Sequence, residues 1–136
     1  MKFAISSTAV LVALAFAGTV QAEEQVITIG HSGPLSGPNA FAGKDNENGV
    51  RMAIEELNAK KITVAGKTLK FELVSEDDQC DARNGVSVAQ KFVDSGVKYV
   101  LGPYCSGVTI PASRVYSQGG TMVSTVGTNP KVTQGG

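Results

Sequence analysis

The stretch Gly102-Pro103-Tyr104-Cys105-Ser106-Gly107 stands where the apolar run Tyr99 to Leu101 stops and a helix is predicted to begin. Small residues there let the backbone turn tightly. Ser106 adds a hydroxyl beside the backbone N–H groups at the positive end of that helix. This is the chemistry of a receptor for an anion such as a carboxylate, although the same residues also suit an ordinary strand-to-helix turn with a capping serine. Two further small, polar stretches accompany it, Ser36 to Gly43, which carries Phe41, and Thr125 to Thr128.

Catalysis finds no support. Gly30-His31-Ser32-Gly33 is one residue out of a Gly-x-Ser-x-Gly elbow, and His31 is the only histidine, so no nucleophile–base–acid triad can be assembled. Neither a phosphate loop nor a dinucleotide fingerprint is present. His31 and two widely spaced cysteines do not make a metal ligand set. No cofactor is implied.

The elements that must position these loops follow from periodicity. Val26 to Gly30, with alternating β-branched residues, predicts a first strand, and Val50, Ala53, Ile54 and Leu57 at helical spacing predict a helix over about 44–60. Its other face, with Lys44, Asp45, Glu47, Arg51, Glu55 and Glu56, is solvated. Residues 62–68 read as a short connector or hairpin bent at Gly66, ahead of a strand from Leu69 to Val74. After the acidic loop Ser75 to Cys80, Asp81 is placed to cap a helix whose apolar positions are Ala82, Val86, Ala89 and Val93, stopped at Gly96. Val97 to Leu101 is the third strand. A helix over about 106–117 follows, with Pro111 expected in its first turn, because proline lacks the N–H that interior turns need. Gly119-Gly120 ends it, and Thr121 to Ser124 is the fourth strand. The order β-α-β-α-β-α-β predicts an α/β fold, a parallel sheet with helices on both faces, whose ligands gather beyond the carboxyl ends of the strands. The small, polar loops meet at that edge.

At the N-terminus, Lys2 precedes an uncharged apolar run from Ala9 to Ala17, and Val20 and Ala22 have the small-residue spacing of a secretory cleavage site. Residues 1–22 are predicted to be a signal peptide cut after Ala22. The apolar run is shorter than the roughly 20 residues that span a bilayer. Of the 12 basic residues, Lys2 leaves with that leader, so 11 face 12 acidic ones and nothing in the charge asks for nucleic acid. Both cysteines, Cys80 and Cys105, lie in the exported part, where an oxidising compartment favours a disulfide between them.

Four motifs in order, Ser36-Gly37-Pro38, Asp77-Asp78-Gln79-Cys80-Asp81, Gly102-Pro103-Tyr104-Cys105-Ser106 and Pro111-Ala112-Ser113, closely resemble the periplasmic branched-chain amino-acid binding proteins of ABC importers. The likeness runs from about Val26 to Pro130. It implies two α/β lobes of the type I periplasmic fold with an amino acid held between them, of which residues 23–136 correspond to an incomplete N-terminal lobe. It further implies that Ser106 and Thr128 bind the ligand carboxylate, and that the Val126 carbonyl and Thr128 hydroxyl face the ammonium group. Tyr104, Cys105 and Gly127 would line the wall, and Phe41 would either cover the ligand or plug the base of its own loop. His31, at the end of the first strand, reads as a spectator. The implied ligands are leucine, isoleucine and valine, the implied partner is a membrane permease, and the implied state is a periplasmic monomer. A sensor domain of the same fold for amides, urea or another amino acid, and a non-functional truncated fragment, are the alternatives.

Overall fold

The computed structural model describes residues 23–124 and 126–134. The predicted leader with its cut after Ala22 lies outside them, as does Thr125. The elements are β1 (Glu24–Gly33), α1 (Ala40–Ala59), β2 (Thr63–Val64), β3 (Lys67–Asp77), α2 (Ala82–Asp94), β4 (Tyr99–Leu101), α3 (Ser106–Gln118) and β5 (Met122–Ser124), followed by a 3-10 turn at Pro130–Val132.

The sheet order is β2-β3-β1-β4-β5. β1 is central and pairs in parallel with β3 and β4, Gly30 standing opposite both Val74 and Val100. β5 extends the parallel set beyond β4, while β2 folds back antiparallel on β3. That hairpin turns on Ala65 and Gly66, both at positive φ (50° and 81°), as a two-residue turn between twisted strands requires. Right-handed crossovers put α1 on one face of the sheet and α2 and α3 together on the other. The contacts agree: α1 packs on β1 and β3, and α2 packs on α3. Between that pair and the sheet lies the core of Val88, Ala89, Phe92, Val97, Val100, Ala112 and Tyr116.

Five local expectations need correction. Helix α1 begins at Ala40 rather than near residue 44, because the N–H groups of Ala42 and Gly43 both reach the Asn39 carbonyl, at 3.1 and 3.2 Å. Gly43 reads as part of a turn, yet it allows close helix–loop contact: a Cβ there would collide with the Pro34 backbone. Strand β3 runs on to Asp77 because Ser75, Glu76 and Asp77 continue the register with His31, Ser32 and Gly33. The buried face of α2 is Gly85, Val88, Ala89 and Phe92; of the predicted positions Ala89 is fully buried and Val93 packs against the core, whereas Ala82 is exposed and Val86 half-buried. Phe92 sets that phase by lying under Gly30, and Gly85 completes it against Val108. Pro111 sits in the second turn of α3, not the first, with no N–H to offer the carbonyl of Gly107, four residues back.

The predicted cap of α2 and the glycine stops of α2 and α3 hold. Asp81 accepts hydrogen bonds from the N–H groups of Arg83 (2.9 Å) and Asn84 (3.0 Å). Gly96 (φ 74°) closes α2 while Val97 N–H returns to the Phe92 carbonyl, and Gly120 (φ 63°) closes α3 in the same way through Thr121 and Tyr116.

Candidate functional site at the sheet switch point

Neighbouring strands β1 and β4 send their chains to opposite faces, β1 into α1 and β4 into α3. A crevice opens between their carboxyl ends, as it does at such switch points in other open α/β sheets. Gly102 brings the two loops this close. Its φ is 111°, and a side chain there would strike the Ser32 carbonyl of β1.

Helix α3 points its N-terminus into this crevice. The capping position belongs to Cys105, whose carbonyl accepts from the N–H groups of Val108 (3.0 Å) and Thr109 (2.9 Å) but whose side chain caps nothing. Ser106 is the first helical residue, which corrects its reading as a capping serine. Its hydroxyl oxygen instead accepts from the N–H of Asn129, at 3.3 Å, in the loop that follows β5. That contact ties Asn129, the residue after Val126, Gly127 and Thr128, to the head of α3. Val126 and Thr128 are exposed and Gly127 is half-buried. The N–H groups ahead of Val108 have no carbonyl within the helix to bond, so this corner presents donors, a hydroxyl and the positive end of a dipole together.

The predicted disulfide joins Cys80 to Cys105, with Cα atoms 5.6 Å apart. It ties the loop after β3 to the cap of α3. Tyr104, one residue earlier, is exposed and faces Phe41, Ala42, Asp45 and Asn46 of α1 across an open hollow of about 540 Å³. Phe41 therefore lies on the first turn of a helix, 77 % exposed, and does not plug the base of its loop. His31 is fully buried, with Nε2 3.3 Å from Asn46 Oδ1, and burial holds its pKa below the ordinary 6.5 despite that contact.

Two aspartates that the sequence showed only as an acidic loop organise the edge. Asp77 accepts from the Leu35 N–H (2.8 Å), the Ser36 hydroxyl (2.5 Å) and the Gln79 N–H (2.9 Å). Burial opposes its ionisation, yet these bonds, that from Ser36 foremost, outweigh it and keep the carboxyl below its usual range. Asp78 is fully buried, accepting from the Ser32 hydroxyl (2.8 Å) and the Cys80 N–H (2.9 Å). Burial, and then the charge of Asp78, push the phenol of Tyr116 upward. The available signal was the spacing itself. Each aspartate accepts the N–H two residues on, which lets Gln79 (φ 52°) and Cys80 (φ 58°) take left-handed conformations without glycine.

The helix N-terminus, the Ser106 hydroxyl and the loop after β5 thus meet at the carboxyl end of the parallel strands of an α/β lobe. A periplasmic binding protein family model matches residues 26–136, and the chain belongs to that family. It is 38 % identical over 136 residues to the Leu/Ile/Val-binding protein homolog 1 of Brucella abortus, covering 99 % of this chain and 35 % of that relative. The Leu/Ile/Val-binding protein BraC3 of Rhizobium johnstonii is 43 % identical over 131 residues, 95 % of this chain and 34 % of its own length. Among solved structures, the branched-chain amino acid substrate-binding protein LivJ of Streptococcus pneumoniae, in complex with isoleucine, superposes with a TM-score of 0.72. That match has 29 % identity and covers 82 % of this chain and 32 % of that one. The chain thus spans about a third of the length of these relatives, and all three are binding proteins by name rather than enzymes.

Proposed function

We propose that the chain is part of the N-terminal lobe of an exported solute receptor that binds leucine, isoleucine or valine and delivers it to a membrane permease. The observation that supports this reading is the Ser106–Asn129 contact, which ties the loop after β5 to the N-terminus of α3. A zwitterion leaving water needs charge-assisted hydrogen bonds at both ends, since uncompensated desolvation costs several kcal/mol. Ser106 and the first N–H groups of α3 take the carboxylate, with the Thr128 hydroxyl. The Val126 carbonyl faces the ammonium group, and Cys105, Gly127, Tyr104 and Phe41 form the wall. The role is capture and release without chemistry on the ligand, with no cofactor. Residues 1–22 are the leader that takes the chain to the periplasm, where it acts as a monomer.

Isothermal titration of the mature full-length protein with leucine, isoleucine and valine tests this. Saturable binding of at least one of them supports the reading. Absence of heat and of thermal stabilisation with all three removes it.

A further inference from the structure

The hollow between α1 and the loop after β4 has a composition that an aliphatic side chain does not explain. Two aromatic rings border it, Phe41 at 77 % exposure and Tyr104 at 39 %, and neither is used by the core. Phe41 and Asp45 stand four residues apart on α1, hence on one face of the helix. Both line the hollow with Ala42, Asn46 and Tyr104, and no basic residue does. Asp45 has no ion pair among the described residues, whereas Glu47, two positions on, is paired with Arg51. Tyr104, which lines the hollow, directly precedes Cys105 and Ser106 at the head of α3.

We infer that this hollow is a side-chain subsite for a cation, and that the receptor accepts amino acids with a long, positively charged side chain in addition to the aliphatic ones. The inference rests on the amino-acid reading above and extends it. Aromatic faces attract a cation through their quadrupole, and the carboxylate supplies its counter-charge. An uncharged alkyl chain would cover the aromatic faces as well, but only a cation at its end would also supply Asp45 with a counter-charge. Asn46 is held by its contact with the buried His31, which fixes the floor of the hollow on the helix side.

The test compares L-lysine with L-norleucine, which has the same carbon chain and lacks only the ammonium group, by titration calorimetry on the mature full-length protein. L-Leucine and L-phenylalanine are run alongside. The expected result is binding of lysine about tenfold tighter than norleucine, a preference that Asp45→Asn abolishes and that weakens as salt is raised. Lysine no tighter than norleucine while leucine binds would overturn the inference and leave the amino-acid reading standing. A lysine preference unaltered in Asp45→Asn, or phenylalanine binding more tightly than lysine, would overturn it as well. Failure of all four to bind removes both.

Discussion

Asp77, the last residue of β3, accepts a 2.5 Å hydrogen bond from the hydroxyl of Ser36 in the loop after β1, forty-one residues earlier in the chain. With the Leu35 N–H on its other oxygen, one carboxylate fixes the path by which β1 leaves the sheet and so the place where α1 starts. Asp77→Ala is therefore expected to cost roughly 1–2 kcal/mol of folding stability in urea unfolding at neutral pH. The sign of its pH dependence follows from a carboxyl held below its ordinary 3.8. The contribution is complete above that value and disappears as pH falls through the lower folded pKa. The Asp77→Ala variant should accordingly show a shallower acid limb below about pH 4 than the parent.

His31 acts in a different window and for the opposite reason. Its folded pKa lies below 6.5, so between the two values the unfolded chain holds a proton that the native one does not. Stability must then fall as pH drops through 6.5 toward the folded pKa. Thermal melts from about pH 7.5 to about pH 5 should show this decline, and His31→Gln should flatten it. An identical slope in the variant would assign the decline to other groups.

Cys80 and Cys105 close a loop with a sequence separation of 25, for which chain entropy assigns about 3.5 kcal/mol. Reduction, or the paired change to alanine, should lower unfolding stability by about that amount at most. Because the bridge holds the cap of α3, the same change should weaken amino-acid binding beyond the loss of fold, read as a higher Kd under conditions where the reduced chain stays folded.

Much of this architecture was visible in the residues, and the failures have specific causes. The alternation of strands and helices along the chain, the Asp81 cap, the Gly66 hairpin and the glycine stops at Gly96 and Gly119-Gly120 all depend on local chemistry that a sequence displays. The phase of α2 does not, because two of its four buried positions are held by tertiary fit: Gly85 contributes no apolar signal of its own, and Phe92 is selected by Gly30 above it. Gly43 misled in the same manner, since close contact with Pro34 and a flexible turn call for the same residue type. Ser106 was correctly placed at the head of α3, but its partner could not be read, because the Asn129 N–H comes from a loop twenty-three residues away. Asp77 and Asp78 read only as part of an acidic loop, yet Asp78 is fully buried, compensated by Ser32, which lies forty-six residues back.

The proposed carboxylate corner is tested most directly by titrating leucine into the mature full-length protein and into its Ser106→Ala and Thr128→Ala variants at neutral pH. Loss of a charge-assisted hydrogen bond in each variant predicts binding weaker by roughly 1–3 kcal/mol with the melting temperature of the free protein little changed. Leucine affinity equal to the parent's in both variants would contradict the assignment and place the ligand elsewhere on the lobe.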